Sequence, residues 1–190
     1  MWNAQFSIFR LQALVQRPDF ERRRVVIDRC EGGLAADGSE GKSERAARVL
    51  FYRGFSEYYI NNREQAAEDF DRAFERDPSL LPADVGKALS YSIRNNNAAG
   101  LKLLRQTEGK VEERGVSDAE GIYKVAKAYA VLGDKVSALH MLRHSIGGGF
   151  FPYPYFERDP LLESLRNEPE FQTLMQQALH RHEQFKATLF

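Results

Sequence analysis

A chain of 190 residues is long enough for one ordinary domain or one short repeat array. Lysine plus arginine and aspartate plus glutamate number 27 each, so there is no basic excess to attract phosphates, which argues against a dedicated nucleic-acid binder. No apolar run approaches the roughly 20 residues that span a bilayer, and the lone Cys30 cannot form an internal disulfide, a usage that fits a reducing, cytoplasmic compartment.

Residues 4–16 carry Phe6, Phe9, Leu11, Ala13 and Leu14 at helical spacing. Pro18 closes that pattern, and a second helical pattern runs to Cys30, so residues 1–30 read as an N-terminal helical pair. Arg10 and Arg17 in an acid-free stretch make a cleaved amphipathic presequence the competing reading, without the continuous apolar centre of a secretory signal. Residues 31–42, EGGLAADGSEGK, are polar, rich in Gly and aperiodic, and read as a flexible loop.

Regular patterning begins at Ser43. Leu50, Phe51, Gly54, Phe55 and Tyr58 make one helical face, Asn61-Asn62 a turn, and Ala66, Phe70, Ala73 and Phe74 a second face. Asp77-Pro78 stops it, because the residue before proline is disfavoured in the helical region. A step of 34 residues carries Gly54 to Ala88, Asn61 to Asn95, Ala66 to Gly100 and Phe70 to Leu104. A further step of 38 carries Ala88 to Ala126, Tyr91 to Tyr129, Asn95 to Gly133, Gly100 to Ala138 and Leu104 to Leu142. Small maps onto small, turn onto turn and apolar onto apolar. The four extra residues belong near Gly109–Ser117, where the second helix of the middle unit runs long. In the last unit Ile122, Val125, Ala126 and Tyr129 share a face, Gly133 is suited to the left-handed conformation that ends a helix, and Asp134 to capping the next.

Beyond Ile146, Gly147–Gly149 ends the helix and the Pro- and aromatic-rich run through Phe156 reads as extended. Asp159-Pro160 opens a short helix with Leu161, Leu162 and Leu165; Glu168-Pro169 opens another with Phe171, Leu174, Met175, Ala178 and Leu179. Residues 147–190 thus read as a cap over the last apolar face.

The spacing of small and aromatic residues over 43–146 resembles three tetratricopeptide repeats. The third is the nearest to the motif; the first has Arg53 and Glu57 where Leu and Tyr are usual, and the second has Asp84 in place of Trp and Gly100 in place of Ala. The tail FFPYPYFERDPLLESLRNEPEFQ is similar to the segment closing repeat arrays at the C-termini of bacterial multidomain regulators, so the chain is expected to be either free-standing or the C-terminal portion of a longer protein. The resemblance implies an all-α fold, a single α-solenoid domain of helical hairpins over 1–190. It also implies a non-enzymatic scaffold, without a cofactor, that binds a protein, peptide or partner helix in a concave groove. The alternative is a regulatory or sensor domain of a kinase or transcription regulator that binds a small ligand. Carried over by position, the groove residues are Phe51, Phe55, Tyr58 and Tyr59, then Val85, Leu89 and Ser92, then Tyr123, Lys124 and Lys127. Its occupant is either such a partner or the chain's own N-terminal helices or C-terminal cap.

Other patterns carry less. Residues 36–43, ADGSEGKS, fit a relaxed phosphate loop, but no buried strand precedes Lys42 and no magnesium-holding Asp follows, so a solvated loop is the better reading. His140 and His144 can share a helix face, yet no carboxylate or thiol joins them in the pattern, and they read as exposed rather than metal-binding. His180 and His182 diverge on a helix, and Arg22-Arg23-Arg24 is flanked by Asp19, Glu21 and Asp28, the mark of a solvated face. No acid–base pair and no nucleophile–base pair stands out.

Overall fold

The structure, a computed structural model, describes residues 43–114 and 118–189. The expected N-terminal helical pair, the loop over 31–42 and the arginine triplet lie outside them. Every regular element among the described residues is helical, with no strand. The helices are α1 (Ser43–Tyr59), α2 (Arg63–Arg76), α3 (Leu81–Ile93), α4 (Asn97–Arg114), α5 (Ala119–Leu132), α6 (Lys135–Gly147), the single turn α7 (Tyr153–Phe156) and α8 (Pro169–Leu189); a 3-10 helix, Pro160–Leu165, lies between the last two. The second helix of the middle unit does run long, through Arg114, with Gly109 inside it.

The expected reversals fall where the 34- and 38-residue steps put them. Asn61, Asn95 and Gly133 are left-handed, at φ 66°, 59° and 87°. Each donates its N–H three residues back, to the carbonyls of Tyr58, Ser92 and Ala130. The next residue donates five back: Asn62 to Glu57, Asn96 to Tyr91 and Asp134 to Tyr129, at 2.9, 2.9 and 3.0 Å. This pair of bonds satisfies carbonyls that a helix end otherwise leaves open, and it requires a left-handed residue, which Gly and Asn tolerate best. The following helix starts alike each time, with Ala66, Gly100 and Ala138 donating to Asn62, Asn96 and Asp134. At the third reversal the Asp134 side chain also accepts from Ser137 N at 3.1 Å, capping α6.

By compactness the chain divides into two units, one ending at Gly100 and one beginning at Leu101. In the first, α1 packs on α2, and α3 on both. Phe70 is fully buried at its centre. A Cβ at Gly54 or at Gly86 would come within 2.8 Å of the Phe70 ring, so α1 and α3 seat on one ring through residues without side chains. Phe51 and Phe55 stack edge-on beside it, 4.8 Å apart. Arg53 and Glu57, the departures from the repeat pattern, are buried with polar partners from the next helix and its turn. Arg53 holds Asp69 through two hydrogen bonds, Nε to Oδ2 at 2.7 Å, and Asn62 Nδ2 donates to Glu57 at 2.8 Å. Asp71 of α2 ties α3 down by accepting from Lys87 and Ser90 at 2.9 and 2.7 Å and pairing with Arg94. Burial pushes the Asp71 carboxyl up, but these donors outweigh it and leave it below the ordinary aspartate value.

In the second unit α5 packs on α6, the 3-10 helix packs against both, and α8 packs on α6 and α7. Ala126 and Ala138 are fully buried, as their small size requires at a close helix contact. Tyr129 donates to Glu108 of α4 at 2.7 Å; burial and that carboxylate push its phenol above the ordinary tyrosine value. The run through Phe156, read as extended, instead closes one helical turn at Tyr153–Phe156, with proline at the start, where a missing N–H costs nothing. Asp159 caps the 3-10 helix through Leu161 N at 3.0 Å, and Phe171, Leu174 and Ala178 bury one face of α8. Among the described residues no helix is long and apolar enough to cross a membrane.

Candidate functional site

The ten groove positions part into two groups. In the first unit Phe51, Phe55, Val85 and Leu89 are core residues, whereas Tyr58, Tyr59 and Ser92 are half-buried. Gly86 lets α3 close on this cluster: a Cβ there would lie 2.8 Å from the Phe70 ring and 3.2 Å from that of Phe51. Tyr58 and Tyr59 remain at the end of α1, their rings edge-on at 6.5 Å, and the Arg63 guanidinium lies 3.6 Å above the Tyr58 ring. These two tyrosines are the part of the expected aromatic face that reaches solvent.

In the second unit Tyr123, Lys124 and Lys127 are all buried, at 0, 6 and 3% exposure. Tyr123 and Lys127, four apart, share one face of α5. That face is covered by the chain's own residues 150–159. The rings of Phe150, Tyr155 and Phe156 surround Tyr123 at centroid distances of 5.4, 5.3 and 4.7 Å. Asp159, itself buried, accepts from the Tyr123 hydroxyl at 2.8 Å and pairs with Lys127 Nζ at 3.3 Å. Lys127 also donates to the Tyr155 hydroxyl at 3.2 Å and lies over the Tyr123 ring, 4.9 Å from its centroid. Beside it Lys124 pairs with Glu120 one turn back, at 2.6 Å.

Electrostatically, burial dominates Lys127 and pulls its ammonium below the ordinary value of 10.5; Asp159 opposes this and the neighbouring Lys124 adds to it. Asp159 therefore has two tasks, helix cap and counter-ion. Only the first was legible in Asp159-Pro160, because a cap is local and the counter-ion is 32 residues away in sequence. The aromatic partners Phe150, Tyr155 and Phe156 were visible as composition without an assigned place.

His140, His144 and His180 are exposed and His182 half-buried. No group of three or more His, Cys, Asp or Glu side chains that could hold a metal occurs among the described residues. No protein-family model, no curated protein and no solved structure matches this chain.

Proposed function

We propose that this chain is a non-enzymatic protein-interaction module, a cytoplasmic α-solenoid of tetratricopeptide-like hairpins that binds a peptide or partner helix. The observation that carries the reading is the threefold recurrence of one reversal, with the same left-handed residue and the same backbone hydrogen bonds at Asn61, Asn95 and Gly133. Such recurrence supports a repeat architecture, and repeat architectures present extended surfaces to partners. The buried ionisable pairs Arg53–Asp69 and Lys127–Asp159 support it further, since each fastens one element to another. Tyr58 and Tyr59 are the aromatic contact residues on offer in the first unit; tyrosine gives large contact area for little lost rotamer freedom.

Affinity capture from the native cell, comparing wild type with Tyr58→Ala/Tyr59→Ala at equal helicity by circular dichroism, tests the reading. A protein retained by the wild type and released by at least tenfold in the variant is the expected result. Identical retention by both, or no specific protein with either, overturns it.

A further inference from the structure

Residues 150–159 meet α5 as a ligand meets a receptor. Three rings and one carboxylate make the contact described above, while the segment's backbone N–H groups donate to the end of α6 or within the segment itself: Phe150 N to Ser145, Tyr155 N to Pro152, Glu157 N to Tyr153, and Asp159 N to Phe156. At its far end the Asp159 carbonyl accepts from Leu162 N and Arg166. The segment leaves α6 through Gly147–Gly149, and Gly149, at φ 109°, has open space around its Cβ position. Arg158 and Pro154 face solvent while Phe156 and Asp159 are buried, so the segment has an outer and an inner side, as a bound peptide does.

From this arrangement we infer that the α5 face around Tyr123 and Lys127 is a binding surface for an aromatic segment bearing a carboxylate, and that Phe150–Asp159 is its resident, displaceable occupant. The inference rests on the interaction role proposed above and names the ligand class for this face. The carboxylate is called for because Lys127 is buried with its Nζ 3.3 Å from Asp159: Asp159 and the Tyr155 hydroxyl face it from the segment, and Tyr123, Lys124 and Glu120 lie on α5 beside it. A segment with rings alone would withdraw the charge that Asp159 brings. A tethered occupant also competes at an effective concentration on the order of millimolar, so an external segment wins only when the tethered one is weakened.

Asp159→Asn in the full chain supplies that weakening. Its amide oxygen can still accept from Leu161 N and cap the 3-10 helix, but the negative charge is gone. Hydrogen exchange over residues 150–159 is expected to speed up at least tenfold, with α6 unchanged; α8, which packs on α7 and meets Phe151 through Phe185 and Arg181, is not a control. A labelled peptide of sequence FFPYPYFERD is expected to bind this variant at least tenfold more tightly than wild type, and at least tenfold more tightly than the same peptide ending in Asn. Adding Lys127→Met to Asp159→Asn should return slow exchange and abolish the preference for the acidic peptide. The inference is overturned if exchange in Asp159→Asn is unchanged or rises equally throughout the unit, if fast exchange persists in the double variant, or if the opened chain ignores the peptide. A chain that fails the peptide test yet still captures a partner through Tyr58 and Tyr59 loses this site and keeps the interaction role.

Discussion

At the scale of single residues, the buried charges explain more than the apolar ones. Asp69 has no exposed surface and faces the Arg53 guanidinium, so removing the cation alone leaves a carboxylate in a dry contact. Arg53→Met is expected to cost about 3–5 kcal/mol, and Arg53→Met/Asp69→Leu to recover most of that, as read by urea denaturation. Lys127 behaves differently, because its pKa is lowered by folding. Below the lowered value it is charged in both states and the full burial penalty applies. As pH rises through that value towards 10.5, the folded chain releases the proton first, and the contribution of this group to stability increases. Wild type is therefore expected to gain stability relative to Lys127→Met as pH rises through that window; parallel pH profiles would contradict the assignment. Neither pairing was legible beforehand. Arg53 and Glu57 stood out as departures from the repeat pattern, but the pattern does not say which acid or amide the neighbouring helix brings to them.

At the scale of elements, sterics and backbone conformation can be tested separately. A Cβ at Gly54 would sit 2.8 Å from the Phe70 ring and 3.2 Å from the Ala66 carbonyl, so Gly54→Ala is expected to overpack the α1–α2 contact by about 1–3 kcal/mol. Gly133 has nothing within 4 Å of that position, and there the cost is purely conformational: Gly133→Val and Asn95→Val should each lose about 1–2 kcal/mol through the left-handed backbone. Thermal unfolding of the three variants checks both mechanisms. The reversals were legible because Asn and Gly are the residues that tolerate positive φ, and their spacing marks them. The turn at Tyr153–Phe156 was not, because Pro152 and Pro154 read as chain breakers, whereas proline in a first helical turn is harmless. Gly86 was overlooked for a similar reason: a glycine inside a helical pattern has no signature until the ring that needs the space is known.

At the scale of the whole chain, the helical character and its element order over the described residues followed from periodicity, while the occupancy of the surfaces did not. Tyr123 and Lys127 do share a face of α5, yet an aromatic, proline-rich tail and an aromatic partner peptide leave the same imprint on that helix, and sequence spacing cannot separate them. The depth of Lys127 has a consequence for chemical reactivity. Lys102, Lys135 and Lys186 are exposed, so an amine-acylating reagent at limiting dose should mark them early and Lys127 late. Once uncovered, Lys127 regains an ordinary lysine's access to reagent. Acylation at Lys127, read by mass spectrometry against the early lysines, is then the chemical readout of the displacement of residues 150–159 inferred above.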